Sequence, residues 1–133
     1  MVVCGGTNAS CSAGDLRGVL NNLIVESFPA PSRLIVAVGT VLTPDHWGRR
    51  LDLMTWRLGS NGDRLPIPGH AGCPIYCPRV TGPSVHSHSI DLTFSERGIY
   101  GFELFDRDGA FGKSEALLAT YIFGVDEPSP TRN

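Results

Sequence analysis

Sixteen glycines and ten prolines cut this chain into short apolar runs, and no run sustains the period near 3.6 residues that a long amphipathic helix requires. The expectation is an all-β chain. The run at 17–28, RGVLNNLIVESF, and the run at 33–42, RLIVAVGTVL, are separated by Pro-Ala-Pro-Ser, whose prolines cannot donate to a ladder and so end pairing. From Leu34 to Leu42 the second run is apolar on both faces, with Gly39 the only gap, which suits a strand buried between two layers. In RRLDLMTWRLG the apolar positions start at Leu51 and Leu53 and then shift to Met54, Trp56 and Leu58. A bulge, or a strand covered on both faces, explains such a shift.

Turn chemistry marks the remaining boundaries. Ser60-Asn61-Gly62-Asp63 is a hairpin signal, because Asn-Gly tolerates the positive φ of a tight reversal. VHSHSIDLTF alternates, placing His86, His88, Ile90, Leu92 and Phe94 on one face. IYGFELFD does the same with Tyr100, Phe102 and Leu104 inward, Asp-Arg-Asp-Gly at 106–109 turns the chain, and EALLATYIFGV supplies a last strand. About seven strands at this spacing predict a two-sheet antiparallel sandwich, immunoglobulin-like, with a small closed barrel as the alternative. One domain over 1–125 is expected, with a long proline-, glycine- and cysteine-rich loop at 66–84 and a flexible tail at 126–133.

These signals, in this order, resemble a family of small bacterial proteins, a domain of unknown function with a β-sandwich fold. The resemblance rests on VVC at the start, FPAP at 28–31, LIVAVGTV after it, and LTFSERGIYGFELFDRDG followed by an apolar strand. It implies that Gly98 takes a turn and Tyr100 goes to a sheet corner, as in immunoglobulin-like sandwiches. The chain departs from the family in starting late within the first strand and in its longer, cysteine-rich loop. The family brings no catalytic residues.

A net charge of -2 leaves no broad basic field for phosphate backbones or anionic lipid. Neither a nucleic acid nor a membrane is expected as partner. No segment approaches the roughly 20 apolar residues that span a bilayer, and the expected location is the cytoplasm. There the four cysteines read as thiols or metal ligands rather than cross-links, and Asn8-Ala9-Ser10 is an idle match to the glycosylation pattern.

The segment at 70–88 has the most chemistry. Cys73 and Cys77 with one or two of His70, His86 and His88 offer the sulfur and nitrogen ligands that zinc favours, and His-x-His on a strand points both rings one way. Against that, the spacing is Cys-x3-Cys without a second close pair. A local disulfide or ordinary thiols in a proline-stiffened loop are the alternatives, and the expectation is no bound metal and no cofactor.

Gly112-Lys113-Ser114 lacks the upstream glycine of a phosphate loop, and Asp106 and Asp108 lack the further ligands of a calcium loop and read as a hairpin turn. Asp91 and Glu103 facing each other as an acid and base pair is weaker than a solvated charged face. Trp47, in TPDHWGRR, either folds back to cap an open end or offers a stacking surface to a sugar or a protein. The resulting expectation is a non-enzymatic domain acting by macromolecular contact, through a protein partner or self-association. A carbohydrate or small-ligand module using Trp47 is the alternative from another class.

Overall fold

The computed structural model describes residues 1–5, 10–12, 15–67, 72–112 and 116–128, with the backbone alone at 10–12 and 15–17. Eleven strands are described: β1 (Val2–Cys4), β2 (Ser10–Ser12), β3 (Asp15–Arg17), β4 (Asn22–Ile24), β5 (Ala30–Leu42), β6 (Arg50–Leu58), β7 (Arg64–Pro66), β8 (Cys73–Tyr76), β9 (Gly82–Phe94), β10 (Gly98–Asp106) and β11 (Ala116–Asp126). One sheet runs β1-β5-β9. The other runs β4-β11-β10-β6-β7, with β8 beside β6, and β2 and β3 form a separate ribbon.

The two large sheets pack face to face, and no ladder joins them among the described residues, so the molecule is an immunoglobulin-like sandwich rather than a closed barrel. The ladders are antiparallel except one: β4 runs parallel to β11, pairing Leu23 with Val125, so the larger sheet is mixed. This corrects the wholly antiparallel expectation. The physical reason is a change of sheet. The chain leaves β1 beside β5, and after the ribbon it returns at Val19, which bridges Cys4, before joining β11.

The core forms where alternating inward residues of both sheets meet. Leu34 and Val36 on β5, Ile90, Leu92 and Phe94 on β9, Leu51 and Leu53 on β6, Tyr100, Phe102 and Leu104 on β10, and Phe123 on β11 are all buried there. Phe94 meets the Tyr100 ring edge-on at 4.8 Å, and Phe102 stacks on Phe123 at 5.8 Å, geometries that suit the ring quadrupoles. The Tyr100 hydroxyl donates to the Glu96 carbonyl at 2.6 Å, four residues upstream across the turn. This is the tyrosine corner of immunoglobulin-like sandwiches.

Several boundaries move. The expected strand at 17–28 is broken by Gly18 at φ 72° and supplies only the end of β3 and the short β4. Pairing starts within the proline segment, since β5 takes in Pro31. The expected loop at 66–84 contains β8 and the start of β9, and β11 continues to Asp126, whose carbonyl accepts from Val25 N–H. The Asn61-Gly62 hairpin forms as expected, with Gly62 at φ 81°. The shifted apolar phase of β6 comes from two covered faces, because its register with β10 is unbroken from Leu51 to Arg57. Trp56 is buried on the outer face, beneath the Arg64 guanidinium at 4.7 Å and against Gly101, where any side chain would collide with the indole.

Candidate functional site

The segment at 70–88 divides into separate environments. His70 lies outside the described residues. Cys73 and Ile75 on β8 oppose Leu53 and Leu51 of β6, so this stretch closes the β6 edge. Cys77 is buried with a free thiol, pushed above its ordinary value first by burial and then by the carboxylate of Asp106. Its backbone is held at both ends, N–H to the Arg49 carbonyl at 3.0 Å and carbonyl to Gly48 N–H at 3.0 Å. Among the described residues no three His, Cys, Asp or Glu side chains converge as metal ligands.

His86 and His88 do come together. Their inward phase puts His86 Nδ1 and His88 Nε2 at 2.8 Å, while His86 Nε2 is buried without a partner. Burial holds both rings below the ordinary histidine range, and the neighbouring ring pushes His86 down further. The folded state therefore favours the neutral rings. Their contribution to stability is complete above the unfolded value near 6.5 and is lost as pH falls from there through the depressed folded value. We expect the urea midpoint to drop between pH 7 and pH 5, the expected range given a histidine titration near 6.5. The double variant His86→Gln, His88→Gln is expected to show a flatter profile over that range.

Trp47 folds back. Its indole N–H donates to the Val80 carbonyl at 2.8 Å, and the Arg79 guanidinium lies over its ring at 5.3 Å. The indole thus pins the segment after β8. Trp47→Phe removes that bond and is expected to cost about 1 kcal/mol in thermal unfolding; an unchanged melting curve would contradict this role.

The carboxylates are also accounted for. Asp91 on β9 pairs with Arg33 at 2.9 Å, whereas Glu103 on β10, in the other sheet, pairs with Arg64; they do not face each other. Burial raises the Asp52 carboxyl, but hydrogen bonds from Arg50 and Arg107 outweigh it and hold the group below the usual range. Asp106 is fully buried and accepts Ala110 N–H at 2.9 Å and Phe111 N–H at 2.8 Å, shaping the turn after β10. Lys113 and Ser114 lie outside the described residues. Cys4 is disulfide-bonded, so the expectation of thiols holds for Cys73 and Cys77 and fails at Cys4.

Among the described residues, β6 is flanked on both sides, whereas stretches unpaired on one side include the outer side of β9, β5 beyond Ala37, and β11 before Gly124. The β6 edge is covered by β7 and β8. By contrast, β9 pairs with β5 along all 13 of its residues and with no strand on its other side among those described. On β5, β1 reaches only Ile35 to Ala37. Above that, a cavity of about 370 Å³ opens between the sheets, lined by Met1, Val38, Thr40, Leu51, Leu104, Phe111 and Ala119 among others.

The direction of the β5 backbone at this opening follows from the pairing. Val3 carbonyl accepts Leu20 N–H and Gly5 N–H donates to Gly18, so the groups of Val3 and Gly5 point away from β5. Those of Val2 and Cys4 then face Ala37 and Ile35. By alternation Gly39 and Val41 direct their N–H and C=O away from β9. The prolines agree, because Pro31 on β5 and Pro83, opposite Val41 on β9, share this set and need no donor toward the partner strand.

No family model, no curated protein and no solved structure matches this chain.

Proposed function

We propose that this chain is a non-enzymatic immunoglobulin-like domain that works by contact with another protein, through an exposed sheet edge. The carrying observation is the contrast among its edges. The β6 edge is closed by two added strands, while the outer side of β9 and the upper part of β5 run unpaired among the described residues. An unpaired strand presents a row of donors and acceptors that an incoming strand satisfies, with alternate side chains supplying specificity.

Location belongs to the same proposal. Among the described residues no helix is long and apolar enough to cross a membrane. Disulfides persist in oxidising compartments and are rare in a reducing cytoplasm. The bond at Cys4 therefore favours an oxidising compartment over the cytoplasm expected from the sequence.

Selection against a displayed random peptide library is the test. The expected result is enrichment of extended peptides with apolar residues at alternate positions, whose binding slows amide exchange along β5 or β9. Enrichment no greater than for a sandwich domain with closed edges contradicts the reading, as does binding that leaves every edge amide unchanged.

A further inference from the structure

We infer that His86 and His88, in contact on the inner face of β9, make residues 82–89 an acid-opened segment that leaves β5 while the core stays folded. The opening stands on its own. Its consequence for a strand held on the outer side of β9 rests on the edge-contact reading above.

The upper half of β9 is the weakly held half. No residue from Gly82 to Ser89 is buried, whereas Ile90, Leu92 and Phe94 are. A segment with few buried contacts opens at a lower free energy than the core beside it. Both of its limits are fixed, since the Val80 carbonyl accepts the Trp47 indole N–H upstream and Ile90 enters the core downstream. The only titratable side chains between those limits are the two histidines.

The pair is suited to its neutral form. With His86 Nδ1 and His88 Nε2 at 2.8 Å, one ring donates and the other accepts. Neutral rings allow His86 Nδ1–H to be the donor, which leaves the buried His86 Nε2 as a lone pair. The first proton removes that arrangement whichever ring takes it. On His86, it puts hydrogens on both nitrogens. On His88, it makes Nε2–H the donor to His86 Nδ1, so His86 carries its own hydrogen on Nε2. Either way a charged pair contains a buried N–H without an acceptor, and an unmet group costs more when charge is involved. A second proton sets two N–H groups against each other and removes the bond.

The surroundings do not offset that charge. On β5 the residues opposite the rings are Val38 and Val36, and β2, which lies near β9, is Ser-Cys-Ser. The titratable groups on the inner face of the opposing sheet are Cys73 and Cys77 on β8, Asp106 at the end of β10, Tyr121 on β11, and Tyr100 with the Arg57–Glu96 pair at the far end. Asp106 is engaged by Ala110 and Phe111 N–H and acts on Cys77. Among the described residues, no carboxylate acts on either histidine. Opening returns both rings to water, where each is protonated freely as pH falls below about 6.5. A strand on the outer side of β9 binds only the closed form, so that strand and the protons oppose each other.

Amide exchange followed by NMR at pH 7 and pH 5 tests the opening, with protection factors used so that the intrinsic pH dependence of exchange cancels. Protection is expected to fall at least about tenfold at Val38, Thr40, His86 and His88 and to hold at Leu34, Ile90 and Leu92. The ring signals of both histidines are expected to titrate over the same range. In the double variant His86→Gln, His88→Gln, protection at Val38 and Thr40 is expected to stay within about threefold between the two pH values. A saturating library-selected peptide that protects the outer side of β9 is expected to restore the lost protection at pH 5.

A loss of protection that is uniform over the chain makes the acid response global and overturns the opening. An equal loss in the double variant, or none in the wild type, overturns it as well. Opening that such a peptide does not reverse overturns the antagonism and leaves the opening standing. If no selected peptide protects any edge amide at either pH, the edge-contact reading fails and the opening is judged by the exchange data alone.

Discussion

Phe94→Ala is expected to lower the unfolding free energy by about 3–5 kcal/mol, the range for removing a buried aromatic ring from a packed core. Phe94 is fully buried at the end of β9 and meets Tyr100 and Phe123 edge-on at 4.8 and 6.1 Å. It joins the two sheets where the chain passes from one to the other, beside the Tyr100 corner. A single-domain protein has only about 5–15 kcal/mol in total, so this one change removes a large share. Ile122→Ala serves as the control, since Ile122 is 56% exposed and such a site usually changes stability by no more than about 0.5 kcal/mol. Urea unfolding of both variants checks the prediction, and equal midpoints would contradict the assignment of the core.

Reduction of the bond at Cys4 is expected to cost about 2–4 kcal/mol, as for native disulfides in small domains. Cys4 is fully buried, pairs with Ile35 through the backbone and packs on Ala37. Strand β2 lies near β1, β5 and β9, and the outer face of β5 is covered only around Ile35 and Ala37, since Val41 is exposed. Urea unfolding with and without a strong reductant measures the cost. The Cys4→Ala variant is expected to unfold at one midpoint in both conditions. A wild-type midpoint that ignores the reductant would contradict a stabilising bond and weaken the case for an oxidising compartment.

The features legible in the sequence are those set by local rules. Alternation placed Ile90, Leu92, Phe94, Tyr100 and Phe102 correctly because the two-residue period of a strand is fixed by the backbone. Asn61-Gly62 and the turn before Tyr100 were readable for the same reason. Topology was harder. Nothing local tells Asn22–Ile24 to run parallel to β11, since that pairing depends on where the chain crosses between sheets. Pro31 misled because a proline ends pairing only on the side where its donor would be needed, and that side is set by β9. At Cys4 the expected thiol is replaced by a disulfide, because that expectation rested on a compartment and not on the residues themselves.

At the candidate site the histidine pair was visible as His-x-His on one phase. The cavity beside upper β5 was not identified, although a signal was present. Gly39, the only gap in the apolar run from Leu34 to Leu42, marks the point where β5 loses its neighbour. A glycine inside a strand often marks a site where another backbone approaches closely.

Amide hydrogen exchange of the protein alone tests the open β5 edge most directly. The account predicts alternation over four consecutive residues: slow exchange at Val38 and Thr40, whose donors face β9, and fast exchange at Gly39 and Val41, whose donors point away from it. Equally slow exchange at all four would mean that the edge is already paired in the monomer, and would contradict the account.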